Sequence, residues 1–180
     1  MGMNKTHYDG VDLQYSCNMI IIRNGEELSL INTIRLNDEG LSALDSLGKV
    51  KNVIRIGAFH SINDAFYLDR YPAKLCAIKG MQPSHNRPTD IELVPNGFLP
   101  IPDSELVVFE TSVTPEGALY IAREGGILIT CNSVKNWLNQ DQFFNDGTVA
   151  LYKRQGFFGA ATISNIWMQA TQVNSLILLN

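Results

Sequence analysis

The part of the chain that most restricts its fold is residues 50–78, where two apolar runs flank a polar turn and a short helical pattern. Residues 50–56 favour a buried strand, and a turn containing His60 follows them. Residues 64–71 carry the helical pattern, and residues 73–78 form the second apolar run. Strand, helix and strand at this spacing predict a βαβ unit with a parallel strand pair.

The surrounding segments predict the remaining elements. Residues 18–22 and 28–34 are β-rich, and Asn24-Gly25 between them favours a hairpin with a type I′ turn. Asn37 can cap a helix that Gly48 ends. Further strands are predicted at residues 106–111, 118–122 and 127–131, and further helices at residues 134–144 and 148–155. This order predicts an α+β fold in which sheets pack face to face with helices outside.

Length and composition limit the number of domains, the kinds of partner and the compartment that we expect. The 180 residues, 45% of them hydrophobic, predict a single domain over residues 1–180. The net charge of −4 includes no basic block, so we expect no nucleic-acid partner. No apolar run reaches the roughly 18 residues of a membrane span, so we expect no membrane partner. The three scattered cysteines indicate buried small side chains in a reducing, cytoplasmic setting.

His60 and Asp64 are the first candidates for chemistry. They flank a strand-to-helix turn of the kind at which α/β proteins place ligands, and an imidazole and a carboxylate there could share a metal ion. Alternatively, Ser61 and Asp64 form a capping box and His60 only fills a polar turn. Glu110 and Glu116 are interpreted as solvated ends of strands rather than as general acids.

Other residues carry weaker signals. His85 lies in a segment of turn-forming residues and is interpreted as a solvated loop histidine. Trp137 and Trp167 are expected to pack in a core rather than to form an aromatic wall for a ligand. Ser133 is interpreted as the cap of the helix predicted at residues 134–144 rather than as a nucleophile.

Residues 18–137 resemble the metallo-β-lactamase superfamily, most closely a group of uncharacterised members. In that family a turn after a buried strand carries H-x-H-x-D-H, which holds one or two zinc or iron ions. Aligned on this turn, His60 matches the first histidine and Asp64 the aspartate, whereas Ile62 and Ala65 replace the other two histidines. Val113 replaces a further histidine of the family's Gly-His-Thr-Pro-Gly.

The resemblance implies a four-layer αβ/βα sandwich with a cleft between its halves. Asn132 stands where the family has a bridging aspartate, and no histidine follows His85, so the family's last ligand is missing. We therefore expect a sandwich shortened at the C-terminus. The residues that would line the cleft, besides His60 and Asp64, are Asn63, Val113, Thr114, Asn132 and Ser133.

These substitutions predict a protein of this fold that is not a conventional zinc hydrolase. It would bind an unidentified small molecule or serve as a dimeric scaffold, and it would need no cofactor; the apolar residues 173–179 suggest a homodimer. The alternative is a hydrolase of esters, lactones or thioesters in which His60 and Asp64 hold one zinc, manganese or iron ion, helped by Asn132, His85 or a residue from another subunit. A third hypothesis is an α/β interaction domain in which His60 and Asp64 only shape a turn.

Overall fold

A computed structural model of the chain describes residues 2–8, 10–60, 62–82 and 87–173. In chain order its elements are β1 (Gly2–Tyr8), β2 (Val11–Cys17), β3 (Ile20–Asn24), β4 (Glu27–Ile31), α1 (Asp38–Leu47), β5 (Lys49–Arg55), α2 (Asp64–Arg70), β6 (Lys74–Ile78), β7 (Ile91–Leu93), β8 (Ser104–Val108), β9 (Gly117–Ile121), β10 (Ile127–Ile129), β11 (Val134–Lys135), α3 (Asp146–Arg154), β12 (Thr162–Ile163) and α4 (Asn165–Thr171).

The chain forms two compact units, which are described separately below. One is Met19–Cys131, and the other combines Met1–Asn18 with Asn132–Asn180. The single domain over residues 1–180 stays a prediction. Within the described ranges, no helix is both long and apolar enough to cross a membrane. Ser61, His85 and residues 174–179 lie outside the described residues, so the capping box, the loop histidine and the apolar tail also stay predictions.

The Met19–Cys131 unit is built on a five-stranded sheet in the order β3-β4-β5-β6-β7. Strands β3 and β4 are antiparallel, whereas the pairs from β4 to β7 are parallel. Helix α2 lies in the chain between the parallel strands β5 and β6, which confirms the predicted βαβ unit. An antiparallel sheet in the order β10-β9-β8 confirms the three strands predicted at residues 106–111, 118–122 and 127–131.

Two apolar cores cover the faces of the five-stranded sheet. On one face, Leu41 and Leu44 of α1 and Tyr67 of α2 pack against strand residues such as Leu30 and Val53. On the other face, Ile31, Ile54 and Cys76 share a core with residues of the three-stranded sheet, namely Leu106, Leu119, Ile121 and Ile129. Helices therefore cover one side of two packed sheets, and the predicted α+β class is confirmed.

The hairpin between β3 and β4 was predicted correctly, but its turn type was not. Asn24 pairs with Glu27, so the two loop residues are Gly25 and Glu26. Only Gly25 of this loop has a positive φ, +61°. A type I′ turn requires positive φ at both loop residues, and Glu26, which has a Cβ, does not adopt it here.

The second unit has its own aromatic core. Leu13 of β2 and Leu151, Tyr152 and Phe157 are buried together, with Trp137 and other partly buried rings packed against them. Trp137 stacks on Tyr152 with ring centroids 5.1 Å apart. Helix α3 confirms the helix predicted at residues 148–155. Trp167 of α4 is also buried, so both tryptophans pack as expected.

The helix predicted at residues 134–144 is wrong. Val134–Lys135 is a short strand paired with β12, and the next helix, α3, begins only at Asp146. Two hydrogen bonds of Asp141 oppose a helix. Its Oδ1 accepts one from the nearby Phe143 N at 2.8 Å, and its Oδ2 accepts one from the distant Ser16 Oγ at 2.5 Å. Ser133 consequently caps no helix.

Candidate functional site

The candidate site lies at the carboxyl edge of the parallel strands in the Met19–Cys131 unit. Because β4, β5 and β6 run parallel, their carboxyl ends reach the same edge of the sheet. Thr33 follows β4, His60 follows β5, and α2 begins at Asp64. Sheets of this type usually bind ligands at this edge.

A second segment is hydrogen-bonded to the His60 turn. Gly57 and Glu116 form an antiparallel bridge. Ala58 N donates to Pro115 O at 3.1 Å, and Gly117 N donates to Ile56 O at 2.9 Å. The turn that carries Val113 and Thr114 therefore adjoins the one that carries His60, Asn63 and Asp64. The structure thus brings together two segments that are distant in sequence.

Asp64 is fully buried, and its carboxylate is engaged from two directions. Its Oδ1 accepts a hydrogen bond from Thr33 Oγ1 at 2.6 Å. Its Oδ2 lies 3.9 Å from Nη1 of Arg55, and both side chains of this ion pair are buried. These contacts join the end of β4 and the end of β5 to the first residue of α2.

Arg55 is a residue of this cluster that the sequence analysis missed. It is the last residue of β5 and is 3% exposed. Its Nη2 donates to Gln82 O, and its Nε donates to Met81 Sδ at 3.2 Å. Burial lowers the pKa of the Arg55 guanidinium, and the nearby Asp64 carboxylate opposes this shift. An arginine between Ile54 and Ile56 in an apolar run was the signal that could have revealed it.

His60 and Asn63 complete the turn. The His60 amide donates to Gly57 O at 3.2 Å, and the residue is half-buried. Asn63 precedes α2 with a helical backbone and makes no side-chain capping hydrogen bond. Its Nδ2 donates instead to Thr33 O at 3.5 Å. Asn63 therefore helps to hold the turn against the end of β4.

The apolar substitutions noted in the sequence lie at the surface of these turns. Ile62 is 78% exposed and Val113 is 58% exposed; Phe59, which precedes His60 and replaces no ligand, is 51% exposed. Thr114 is half-buried, and its carbonyl accepts a hydrogen bond from Ser112 Oγ. Residues that were expected to line a cleft therefore present apolar side chains to solvent.

Glu116 and Cys131 lie beside Gly57. A Cβ placed on Gly57 would be 2.2 Å from Cys131 Sγ and 3.3 Å from Glu116 Oε2, so both groups adjoin this backbone. Glu116 is 1% exposed, which overturns its interpretation as a solvated strand end; Glu110 is exposed as expected. Glu116 directly precedes β9, where Gly117, Ala118 and Leu119 are buried in succession, so its burial continues that of the strand.

Asn132 and Ser133 are the first residues of the segment in which the chain re-enters the second unit. Asn132 is half-buried and Ser133 is buried. The Ser133 carbonyl accepts a hydrogen bond from Ser164 N at 2.9 Å, which ties the start of β11 to the start of α4. Their predicted position in a cleft with His60 stays a prediction.

The metal that the resemblance implies does not fit the side chains of this edge. In the part of the chain that the structure describes, no three or more histidine, cysteine, aspartate and glutamate side chains are grouped to hold an ion. Asp64 already faces the Arg55 guanidinium, whose charge would repel a metal ion. A catalytic zinc takes three protein ligands and an open water position, which this arrangement does not offer.

Comparisons with known proteins give one kind of match. No protein-family model matches the chain, and no curated protein does. Among solved structures, a subclass B3 metallo-β-lactamase of Bradyrhizobium japonicum is similar with a TM-score of 0.46 and 16% identity, over 84% of this chain and 68% of that one.

Proposed function

We propose that this chain is a binding protein with a metallo-β-lactamase-like fold, which takes up a small apolar molecule and does not act as a conventional zinc hydrolase. The observation that carries the proposal is that the Asp64 carboxylate is already paired within the protein. This carboxylate is buried, accepts a hydrogen bond from Thr33 and faces Arg55 at 3.9 Å. A carboxylate that is already neutralised by a fixed cation has little left to gain from a metal ion.

The nature of the ligand follows from the exposed side chains. Phe59, Ile62 and Val113 are large apolar residues that remain exposed on two hydrogen-bonded turns. Apolar side chains grouped at the ligand-binding edge of a sheet favour an apolar partner, because covering them removes hydrocarbon surface from water. An aromatic or aliphatic small molecule fits this chemistry.

The metal part of the proposal is tested by elemental analysis of untagged protein before and after incubation with zinc, manganese and iron(II). We expect no near-stoichiometric ion and no change in Tm in saturating zinc. A ligand at one hundred times its Kd would stabilise the fold by about 2.7 kcal/mol, so binding would be visible. About one ion per chain, lost in His60→Ala, would overturn the proposal in favour of a mononuclear metal hydrolase.

The ligand part is tested with 8-anilinonaphthalene-1-sulfonate, a fluorescent apolar probe. We expect fluorescence enhancement that Ile62→Asp and Val113→Asp abolish. Leu128→Asp is the matched control, because Leu128 is 63% exposed but lies on β10. Equal loss in all three variants, or no enhancement in the unchanged protein, would contradict binding at these turns.

The proposal includes a reducing compartment and assembly as a homodimer. The three cysteines are free, and burial raises the pKa of the Cys76 thiol to about 12, so this thiol is protected in the folded protein. Light scattering at micromolar concentration tests the dimer. A monomer would remove the scaffold role and leave the binding role intact.

A further inference from the structure

Arg55 is surrounded by groups that suit a cation. Its Nη1 lies 3.9 Å from the Asp64 carboxylate, its Nη2 donates to the Gln82 carbonyl, and its Nε donates to Met81 Sδ at 3.2 Å. Each nitrogen of the guanidinium thus has a different electron-rich neighbour. The side chain is 3% exposed, so these neighbours largely replace water around it.

The Asp64 carboxylate is held in place independently of Arg55. Thr33 Oγ1 donates to Asp64 Oδ1 at 2.6 Å, which orients the carboxylate and leaves Oδ2 facing the guanidinium. Asp64 is also the first residue of α2, and Thr33 follows β4. Removing the arginine side chain would therefore leave its negative neighbour fixed by two elements of the fold.

We infer that Asp64, Gln82 and Met81 form a cation site that accepts guanidinium and is permanently occupied by the side chain of Arg55. The arginine acts as a tethered ligand. It closes the site to free cations and joins β5 to the segment after β6. This inference goes beyond the proposed function, because it holds whatever molecule binds at the exposed turns.

The test is chemical rescue of Arg55→Ala by methylguanidinium, with Tm as the readout. Truncation leaves a buried space next to Asp64 that the free cation can fill. We expect a saturable rise in Tm of about 3–6 °C at ten times the dissociation constant. Sodium chloride at equal ionic strength should give no such rise, and neither should methylguanidinium added to the unchanged protein.

The control is Arg55→Ala combined with Asp64→Asn, which removes the negative charge of the site. Rescue should disappear in this double variant. A folded Arg55→Ala protein that shows no saturable rise, or equal rescue in the double variant, would overturn the inference.

A second pair of variants tests the inference even if Arg55→Ala does not fold. Arg55→Lys retains a cation, whereas Arg55→Met has a similar length and none. We expect Arg55→Lys to have the higher Tm, because it keeps a charge next to Asp64. An Arg55→Met protein as stable as Arg55→Lys would refute the cation site without any rescue measurement.

Discussion

Replacing Gly57 with alanine tests the packing that joins the two segments of the candidate site. A Cβ at this position would lie 2.2 Å from Cys131 Sγ and 2.9 Å from Cys131 Cβ. The φ of Gly57 is not in the left-handed region, so alanine is disfavoured only by these contacts. Backbone hydrogen bonds of Ala58 and Ile56 hold the chain on either side, which restricts relaxation.

The loss of stability expected for Gly57→Ala follows from the overlap between the added Cβ and Cys131. Non-bonded carbon atoms prefer separations of about 3.5–4.0 Å, so the Sγ or the strand would have to move by more than about 1 Å. Overpacking of this kind costs about 1–3 kcal/mol, and the restricted backbone places Gly57→Ala near the upper value. For a chain of this length, a loss of about 3 kcal/mol lowers Tm by roughly 6–12 °C.

Urea unfolding of Gly57→Ala, Cys131→Gly and the double variant measures this overlap directly. Cys131→Gly removes both clashing atoms, so the double variant should be at least about 2 kcal/mol more stable than the sum of the single effects. Gly125→Ala is the control: its Cβ would meet nothing within 4 Å, and its cost comes from a φ of +84°. Cys131→Gly should not reduce the stability cost of Gly125→Ala. A cost below about 0.5 kcal/mol for Gly57→Ala, or simple additivity with Cys131→Gly, would refute the reasoning.

The remaining predictions concern stability. Burial raises the pKa values of Cys76 and Tyr67 from 9.0 and 10.0 to about 12, so the stability that depends on their neutral forms is complete below pH 9 and is lost as pH rises towards 12. In urea titrations between pH 8 and 11.5 we expect a fall of about 1.4 kcal/mol per pH unit for each group, beginning above pH 9.0 for Cys76 and above pH 10.0 for Tyr67; a Cys76→Ala variant with an undiminished slope between pH 9 and 10 would contradict this. Asn145→Ala should cost about 1–2 kcal/mol, because Asn145 caps α3 and its Nδ2 also donates to Asp12 O at 2.9 Å. Asn37→Ala removes only the cap of α1, so it should lower the free energy of unfolding in urea by less than Asn145→Ala does. A larger loss in Asn37→Ala would contradict a stabilising hydrogen bond between Asn145 and Asp12.

Elements that depend on neighbouring residues were predictable from the sequence. Asn37 accepts a hydrogen bond from Gly40 N at 2.9 Å, as expected for the cap of α1. The βαβ unit also follows from local patterns, because apolar runs and a short helical segment restrict how adjacent strands can pair. These features involve residues that are close in the chain, so their preferences act before tertiary contacts form.

Predictions failed where contacts between distant residues outweigh local preference. The segment predicted as a helix at residues 134–144 instead packs Trp137 and Phe144 against Tyr152. Glu116 looked like the solvated end of a strand, but its bridge to Gly57 carries it into the interior. Neither outcome is encoded in the preferences of the segment alone.

The sequence by itself determined which side chains are available at the edge of the sheet. It placed His60 and Asp64 after a buried strand and showed Ile62 and Val113 where the resemblance implies histidines. Only the tertiary structure decided what Asp64 does there, by bringing Arg55 and Thr33 to its two oxygens. The physical reason is that ion pairs and hydrogen bonds depend on distances in space. These distances were set when β4, β5 and α2 packed together, and no periodicity along the chain records them.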